Sequence, residues 1–264
     1  MKCIISSTYD DRYLYFLPIT VFCWNKLNVD VVCFLPTPKV PNMEKLLLIS
    51  NTMGNNDMKF EGHYFDAPEH KEATYAQCSR LYGACLDLPE NEILITGDID
   101  MAMFKVPEYT SGAFNIFGSD LTPPKQFPIC YLMATVKEWR DAFDLNGKSY
   151  QECLDGLLGS IEAESFRGNY WCKDQEEAYN KISKVSRIEK VRAKEGTQFS
   201  TKRYDRDDAY ILDRLSLDTI DFHLLRPGFE ESNFNIIMRI LEFHYPNDNL
   251  QWIINYRNEY LKIL

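Results

Sequence analysis

The sequence predicts an α/β protein built on a doubly wound, mostly parallel sheet flanked by helices. Three observations carry this. Short apolar runs near 3–8, 29–35, 60–65, 92–96 and 129–133 alternate with longer stretches of helical spacing, the pattern of strands joined by crossover helices. Val29 to Leu35 is apolar and β-branched almost throughout and is stopped by Pro36, as suits a strand buried on both faces. The run Glu92–Thr96 passes straight into Gly97-Asp98-Ile99-Asp100, an acidic segment at the strand end where open α/β sheets bind their ligands.

The elements follow in order. Residues 3–8 form a short buried strand ending in Ser6-Ser7-Thr8. Arg12 to Leu27 has the apolar content of a long helix, broken near Pro18, whose ring removes a backbone donor. Met43 to Ile49 is apolar and ambiguous, and Phe60 to Phe65 alternates weakly as a third strand. Asp66-Ala67-Pro68 leads into a helix over 69–86, with proline in the entry turn where its missing N–H costs nothing. After the acidic segment, Ile129 to Met133 is a further strand, and Thr135 caps a helix running through Trp139 and Phe143. Lys181 to Arg206 carries both charge signs and reads as a surface helix and loop. Asn233 to Leu264 has helical spacing and is turned by Pro246-Asn247-Asp248, giving C-terminal helices. The 264 residues suit one domain, with a ligand-binding half over 1–120, a second half over 121–232 and the helices of 233–264.

Composition narrows the function. With 45% hydrophobic and 26% charged residues the chain is ordinary globular protein. A formal charge of −10 disfavours nucleic acid or an anionic membrane as partner. An acidic protein that takes a phosphorylated ligand needs local positive charge, and a divalent cation held by carboxylates supplies it. The eight cysteines include no Cys-x-x-Cys and no zinc spacing, so a reduced, cytoplasmic setting is expected. Cys3-Ile4-Ile5 is too short for a signal peptide, and Tyr13 to Trp24 is too short for a membrane span.

Asp98 and Asp100 stand two apart, so in an extended segment both carboxylates can approach one hard cation such as Mn²⁺ or Mg²⁺. Gly97 allows the backbone to come close to a ligand. The triplet alone says little. Twenty aspartates in 264 residues give roughly 1.5 Asp-x-Asp triplets by chance, and a second, Asp205-Arg206-Asp207, lies in the charged stretch. Its place behind an apolar strand is what separates Asp98-Ile99-Asp100 from a solvated turn.

With these residues in order, the sequence resembles the GT-A nucleotide-sugar glycosyltransferases over most of residues 1–230. The likeness rests on Ser6-Ser7-Thr8 ending the first strand, Arg80 within Gln77-Cys78-Ser79-Arg80-Leu81-Tyr82, the Ile95-Thr96-Gly97-Asp98-Ile99-Asp100 segment, and Ile220-Asp221-Phe222-His223 before Arg226-Pro227-Gly228. Tyr170-Trp171-Cys172-Lys173-Asp174-Gln175 resembles an acceptor-side Asp-Gln element of small enzymes of this kind, and the sequence as a whole resembles the compact glycosyltransferases of large DNA viruses that glycosylate their own capsid proteins. The resemblance implies a single GT-A domain, with Asp98, Asp100 and His223 on a Mn²⁺ or Mg²⁺ ion. It implies Ser6 and Thr8 near the nucleotide base, Arg80 on the nucleotide or its phosphates, and Asp98 also facing the ribose. Transfer of a sugar, UDP-linked on family frequency, to a hydroxyl of a glycan or glycoprotein is the implied reaction. Asp174 is the candidate general base for an inverting reaction, or a helix cap. In a retaining reaction it would orient the acceptor or steady positive charge on the sugar. His223 in its apolar neighbourhood is a metal ligand or a core histidine. Arg80 is a ligand or a snorkelling side chain. Tyr131, Trp139 and Trp171 are candidates for a sugar-stacking wall.

Other readings stay open. A sugar-1-phosphate nucleotidyltransferase shares the fold, but Ser6 to Asp11 lacks the glycine-rich triphosphate loop. A non-catalytic nucleotide-sugar-binding module differs in having no turnover. No Gly-x-Gly-x-x-Gly follows the first strand and no Gly-x-Ser-x-Gly occurs, which disfavours dehydrogenase and serine hydrolase. Donor sugar, acceptor, stereochemical course and oligomeric state are not legible in the sequence.

Overall fold

The computed structural model describes residues 1–38, 42–119, 122–159, 171–191, 203–207 and 210–264. In chain order it runs β1 (Lys2–Ser6), α1 (Asp11–Leu14), α2 (Leu17–Lys26), β2 (Asp30–Pro36), α3 (Met43–Asn55), β3 (Phe60–Phe65) and α4 (Glu72–Ser79). A 3₁₀ turn (Arg80–Cys85) extends α4, followed by β4 (Ile93–Thr96), β5 (Met101–Met103), β6 (Phe114–Phe117) and β7 (Leu132–Thr135). Then come α5 (Val136–Phe143), α6 (Tyr150–Leu158), α7 (Lys173–Ile182), β8 (Ile188–Val191), β9 (Arg203–Tyr204), a 3₁₀ turn (Ile211–Arg214), β10 (Asp221–His223), α8 (Glu231–His244) and α9 (Gln251–Ile263).

Seven strands form the main sheet in the order β3-β2-β1-β4-β7-β6-β8. β2 is parallel to β1 and β3, β1 to β4, and β6 to β8, while β7 runs antiparallel to both neighbours. The sheet is therefore mostly parallel, as expected. β7, from beyond residue 120, lies between β4 and β6, so the two halves read from the sequence interleave in one sheet. A second sheet, β5-β10-β9, joins the acidic segment to the late histidine motif, with Met101 opposite His223.

Alternate residues of each strand feed opposite faces. Cys3 and Ile5 enter one core with α2, α8 and α9, whereas Ile4, Val32 and Leu94 enter another with Trp139 and Phe143. The helix expected over 12–27 is broken at Tyr15-Phe16, with Pro18 in the first turn of α2. The strand expected at Ile129 begins at Leu132 instead. The Thr96 hydroxyl donates to the Ile129 carbonyl and its Oγ1 accepts from the Leu132 N–H at 2.9 Å, so Thr96 stitches the approach to the strand. Thr135 caps α5 as expected, through a reciprocal capping box with Glu138. Part of the charged stretch is not helix and loop but the edge strand β8 and the short β9. Tyr170 and residues 192–202 of that stretch lie outside the described residues.

Candidate active site

β1 and β4 are parallel neighbours, so their carboxyl ends leave the sheet at one edge. Ser6 ends β1 with little exposure. Ser7 donates through its hydroxyl to the Thr8 carbonyl at 2.9 Å, and Thr8 Oγ1 accepts from the Asp10 N–H at 3.4 Å. In the same loop the Tyr9 hydroxyl is buried with no hydrogen-bond partner among the described residues, an uncommon state for a buried polar group.

The chain then turns tightly after β4. Gly97 donates to the Ile4 carbonyl at 2.9 Å, and a Cβ at this position would sit 2.9 Å from Cys3 Sγ. The close approach that glycine allows is thus to the core, not to a ligand. The Met101 N–H returns to the Asp98 carbonyl at 3.2 Å. Thr20 Oγ1 donates to Ile99 O at 2.6 Å, and the Leu224 N–H donates to Asp100 O at 2.9 Å. The segment is therefore a pinned turn, not extended backbone. Asp98 and Asp100 meet different partners.

Asp98 meets Arg80. The Arg80 guanidinium is buried at the junction of α4 and its 3₁₀ extension. It contacts the Asp98 carboxylate and the Gly97 carbonyl at 3.2 Å through Nη1, Asp174 Oδ2 at 3.1 Å through Nη2, and the Gln77 carbonyl at 3.2 Å through Nε. The helix expected to hold Arg80 toward a nucleotide thus aims it at two carboxylates. Asp174, in the first turn of α7, is only 4% exposed, against 34% for Asp98. Burial pushes the Asp174 carboxyl up to about 6, against the pull of Arg80 and of the Gln175 N–H, which donates to Oδ1 at 2.7 Å.

Asp100 collects two guanidiniums and an imidazole on one oxygen. Its Oδ2 lies 3.1 Å from Arg206 Nη1, 3.3 Å from His223 Nε2 and 3.4 Å from Arg226 Nε. Burial works against its ionisation, but the His223 hydrogen bond and the charges of His223, Arg226 and Arg206 hold the carboxyl below its ordinary value. Arg226 is also stacked on Tyr13, its guanidinium carbon 4.6 Å from the ring centre. Behind them Asp221, fully buried, accepts from Arg203 Nε at 2.9 Å and from Tyr131 O–H at 2.7 Å.

The sequence reading missed Arg206, because Asp205-Arg206-Asp207 looks like solvated charge, and it quoted Arg226 without a role. Of the expected aromatic wall, Tyr131 is buried against Asp221 and Trp139 lies in the core on the other face of the sheet. Trp171 is 49% exposed, just before α7.

Among the described residues no group of three or more His, Cys, Asp or Glu side chains is gathered as a metal cage. Asp100 and His223 do fit a cation jointly. Their 3.3 Å separation is close to the distance of about 3 Å between adjacent ligands bonded at about 2.1 Å to one ion.

No protein-family model matches the sequence, and no curated protein matches it significantly. Solved structures do. Galactosyltransferase LgtC, in complex with donor and acceptor sugar analogs, superposes with a TM-score of 0.50 at 9% identity, covering 98% of this chain and 100% of that one. The chain has the GT-A glycosyltransferase fold. Glycosyltransferase GlyE of Streptococcus pneumoniae TIGR4 shares it with a TM-score of 0.51 and 9% identity, over 99% of this chain and 63% of that one. A glycosyltransferase involved in glycosylation of the PBCV-1 major capsid gives a TM-score of 0.43 and 13% identity, over 90% and 98% of the two chains. In this GT-A fold the sites of Arg80 and of Asp100 stand at the carboxyl edge of the sheet, where α/β proteins hold ligands. No helix among the described residues is long and apolar enough to cross a membrane.

Proposed function

We propose that the protein transfers a sugar from a nucleotide-sugar donor, UDP-linked, to a hydroxyl of a glycan or glycoprotein, with Mn²⁺ or Mg²⁺ as cofactor. The observation that carries this reading is the convergence of Asp100 and His223 at 3.3 Å, at the ligand-binding edge of a GT-A fold. LgtC supports it as a relative in fold that was solved with donor and acceptor sugar analogs.

In this reading Asp100 and His223 would hold the ion, a small hard cation suited to carboxylate oxygen and donor phosphate. The ion, when bound, offsets the charge that gathers on the departing diphosphate. Asp98, partly exposed, faces the ribose and borders the ion. Arg80 acts one step back, fixing Asp98 and Asp174 relative to each other, so that their geometry is set before substrate arrives. Ser6, Thr8 and the partnerless Tyr9 hydroxyl border the base.

Asp174 is the catalytic carboxylate of this reading. A carboxyl near 6 is tuned for proton transfer close to neutrality, and an anion there also steadies positive charge on the sugar. Trp171, exposed before α7, offers its ring to the acceptor.

A thermal-shift screen of the full chain against UDP- and GDP-sugars, with Mn²⁺ and with EDTA, tests the reading. A ligand that binds the native state alone raises the melting temperature. We expect a rise for at least one UDP-sugar in Mn²⁺ that EDTA abolishes. No rise with any nucleotide sugar would refute the reading.

A further inference from the structure

We infer that Arg206 binds the diphosphate of the donor, an inference that rests on the proposed transferase reading. The protein carries a formal charge of −10, yet around Asp100 the balance inverts. Two guanidiniums and an imidazole converge on one oxygen of one carboxylate, which is itself only 8% exposed. Asp205 faces the other side of His223, 3.9 Å from Nδ1, but it is largely exposed and screened by solvent. Asp10, which also feels the charge of Arg226, already receives Arg12 through Nε and Nη2. One buried negative charge does not neutralise two guanidiniums. A site with surplus positive charge at the carboxyl edge of a sheet suits an anion carrying two or more charges, and a diphosphate is such an anion.

Arg206 is the member free to make that contact. Arg226 is fixed twice, to Asp100 and over the Tyr13 ring. Arg206 reaches in from the segment after β9, meets Asp100 through Nη1 and keeps its side chain 27% exposed. β9 is paired to β10, which carries Asp221 and His223, so the chain leading to Arg206 leaves a strand that lies beside that of His223. Asp100 positions the guanidinium, and the remaining N–H groups address phosphate oxygens.

The test is calorimetry on the full chain in Mn²⁺ buffer, with uridine, UMP and UDP as probes, for wild type, Arg206→Gln and Arg206→Lys. Unliganded melting temperatures are taken alongside. For Arg206→Gln we expect UDP affinity to fall about tenfold or more, equal to roughly 1.4 kcal/mol or more. Uridine affinity should not change, and Arg206→Lys should lie between the two. Equal UDP affinity in wild type and Arg206→Gln would overturn the inference while leaving the transferase reading intact. So would a lowered melting temperature with unchanged UDP affinity, which would make Arg206 a counter-ion of Asp100 alone. A wild-type protein that binds no nucleoside diphosphate would sink both.

Discussion

Arg80 and Asp174, 94 residues apart in the chain, meet at 3.1 Å with both side chains less than a tenth exposed. That pair joins the helix before β4 to the start of α7, and through Asp98 it reaches the turn beyond β4. The turn beyond β4 and the start of α7 are thereby held by one guanidinium.

Arg80→Met should destabilise the fold by about 3 kcal/mol or more, because removing one partner of a buried pair strands the other charge. Adding Asp174→Asn to it should recover part of that loss, since the stranded carboxylate is gone. Urea unfolding of both single variants and the double variant at pH 7.5 measures the coupling. Additive effects would mean that the contact contributes nothing.

Asp174 makes a prediction about pH. Its folded pKa, near 6 because of burial, exceeds the unfolded value of about 3.9, so the fold favours the protonated form. Its favourable contribution is complete below the unfolded value, is lost as pH rises through about 6, and is absent above. Asp174→Asn should therefore gain on wild type in urea midpoint between pH 4.5 and 7. A constant difference across that range would place the folded pKa near its ordinary value.

His244 works in the opposite sense. It stacks on Phe104 with ring centres 3.7 Å apart, and its Nε2 is buried without a partner among the described residues. Burial, helped by the charge of Lys105, depresses its pKa to about 4. The unfolded chain takes the proton first, near 6.5, so stability should decline as pH falls from about 6.5 toward 4. His244→Phe keeps the stack and should flatten that decline, read as melting temperature against pH. An identical decline in the variant would acquit His244.

What could be read from the sequence was what depends on local pattern. The Ile93–Thr96 strand, the helix carrying Arg80, the Thr135 cap and the paired C-terminal helices follow from periodicity and turn chemistry. β9 and β10 have two and three residues and exist through pairing with one another and with β5, more than a hundred residues away in the chain. No local signal encodes that. The same limit hid Arg206, whose neighbours in sequence are acids while its partner in space is Asp100. The turn that carries Asp98 and Asp100 is pinned by Thr20 and Leu224, contacts that lie outside any triplet.

His223→Ala should weaken Mn²⁺ affinity, measured by calorimetry in the presence of UDP, while Asp100→Asn should abolish most of it. In the proposed reading His223 is one ligand among several, whereas Asp100 carries the charge. A lowered melting temperature with unchanged Mn²⁺ affinity in His223→Ala would make the histidine structural.

Turnover is the most direct measurement. The full chain is incubated with a panel of UDP- and GDP-sugars in Mn²⁺, and the nucleoside diphosphate released is quantified by ion-exchange chromatography for wild type, Asp100→Asn and Asp174→Asn. The account predicts release from at least one donor by wild type, faster when acceptor is added, near-complete loss in Asp100→Asn, and a fall of about 10²-fold or more in Asp174→Asn, the usual contribution of a positioned base. Release that persists undiminished in Asp100→Asn, or its absence in wild type with every donor, would contradict the account.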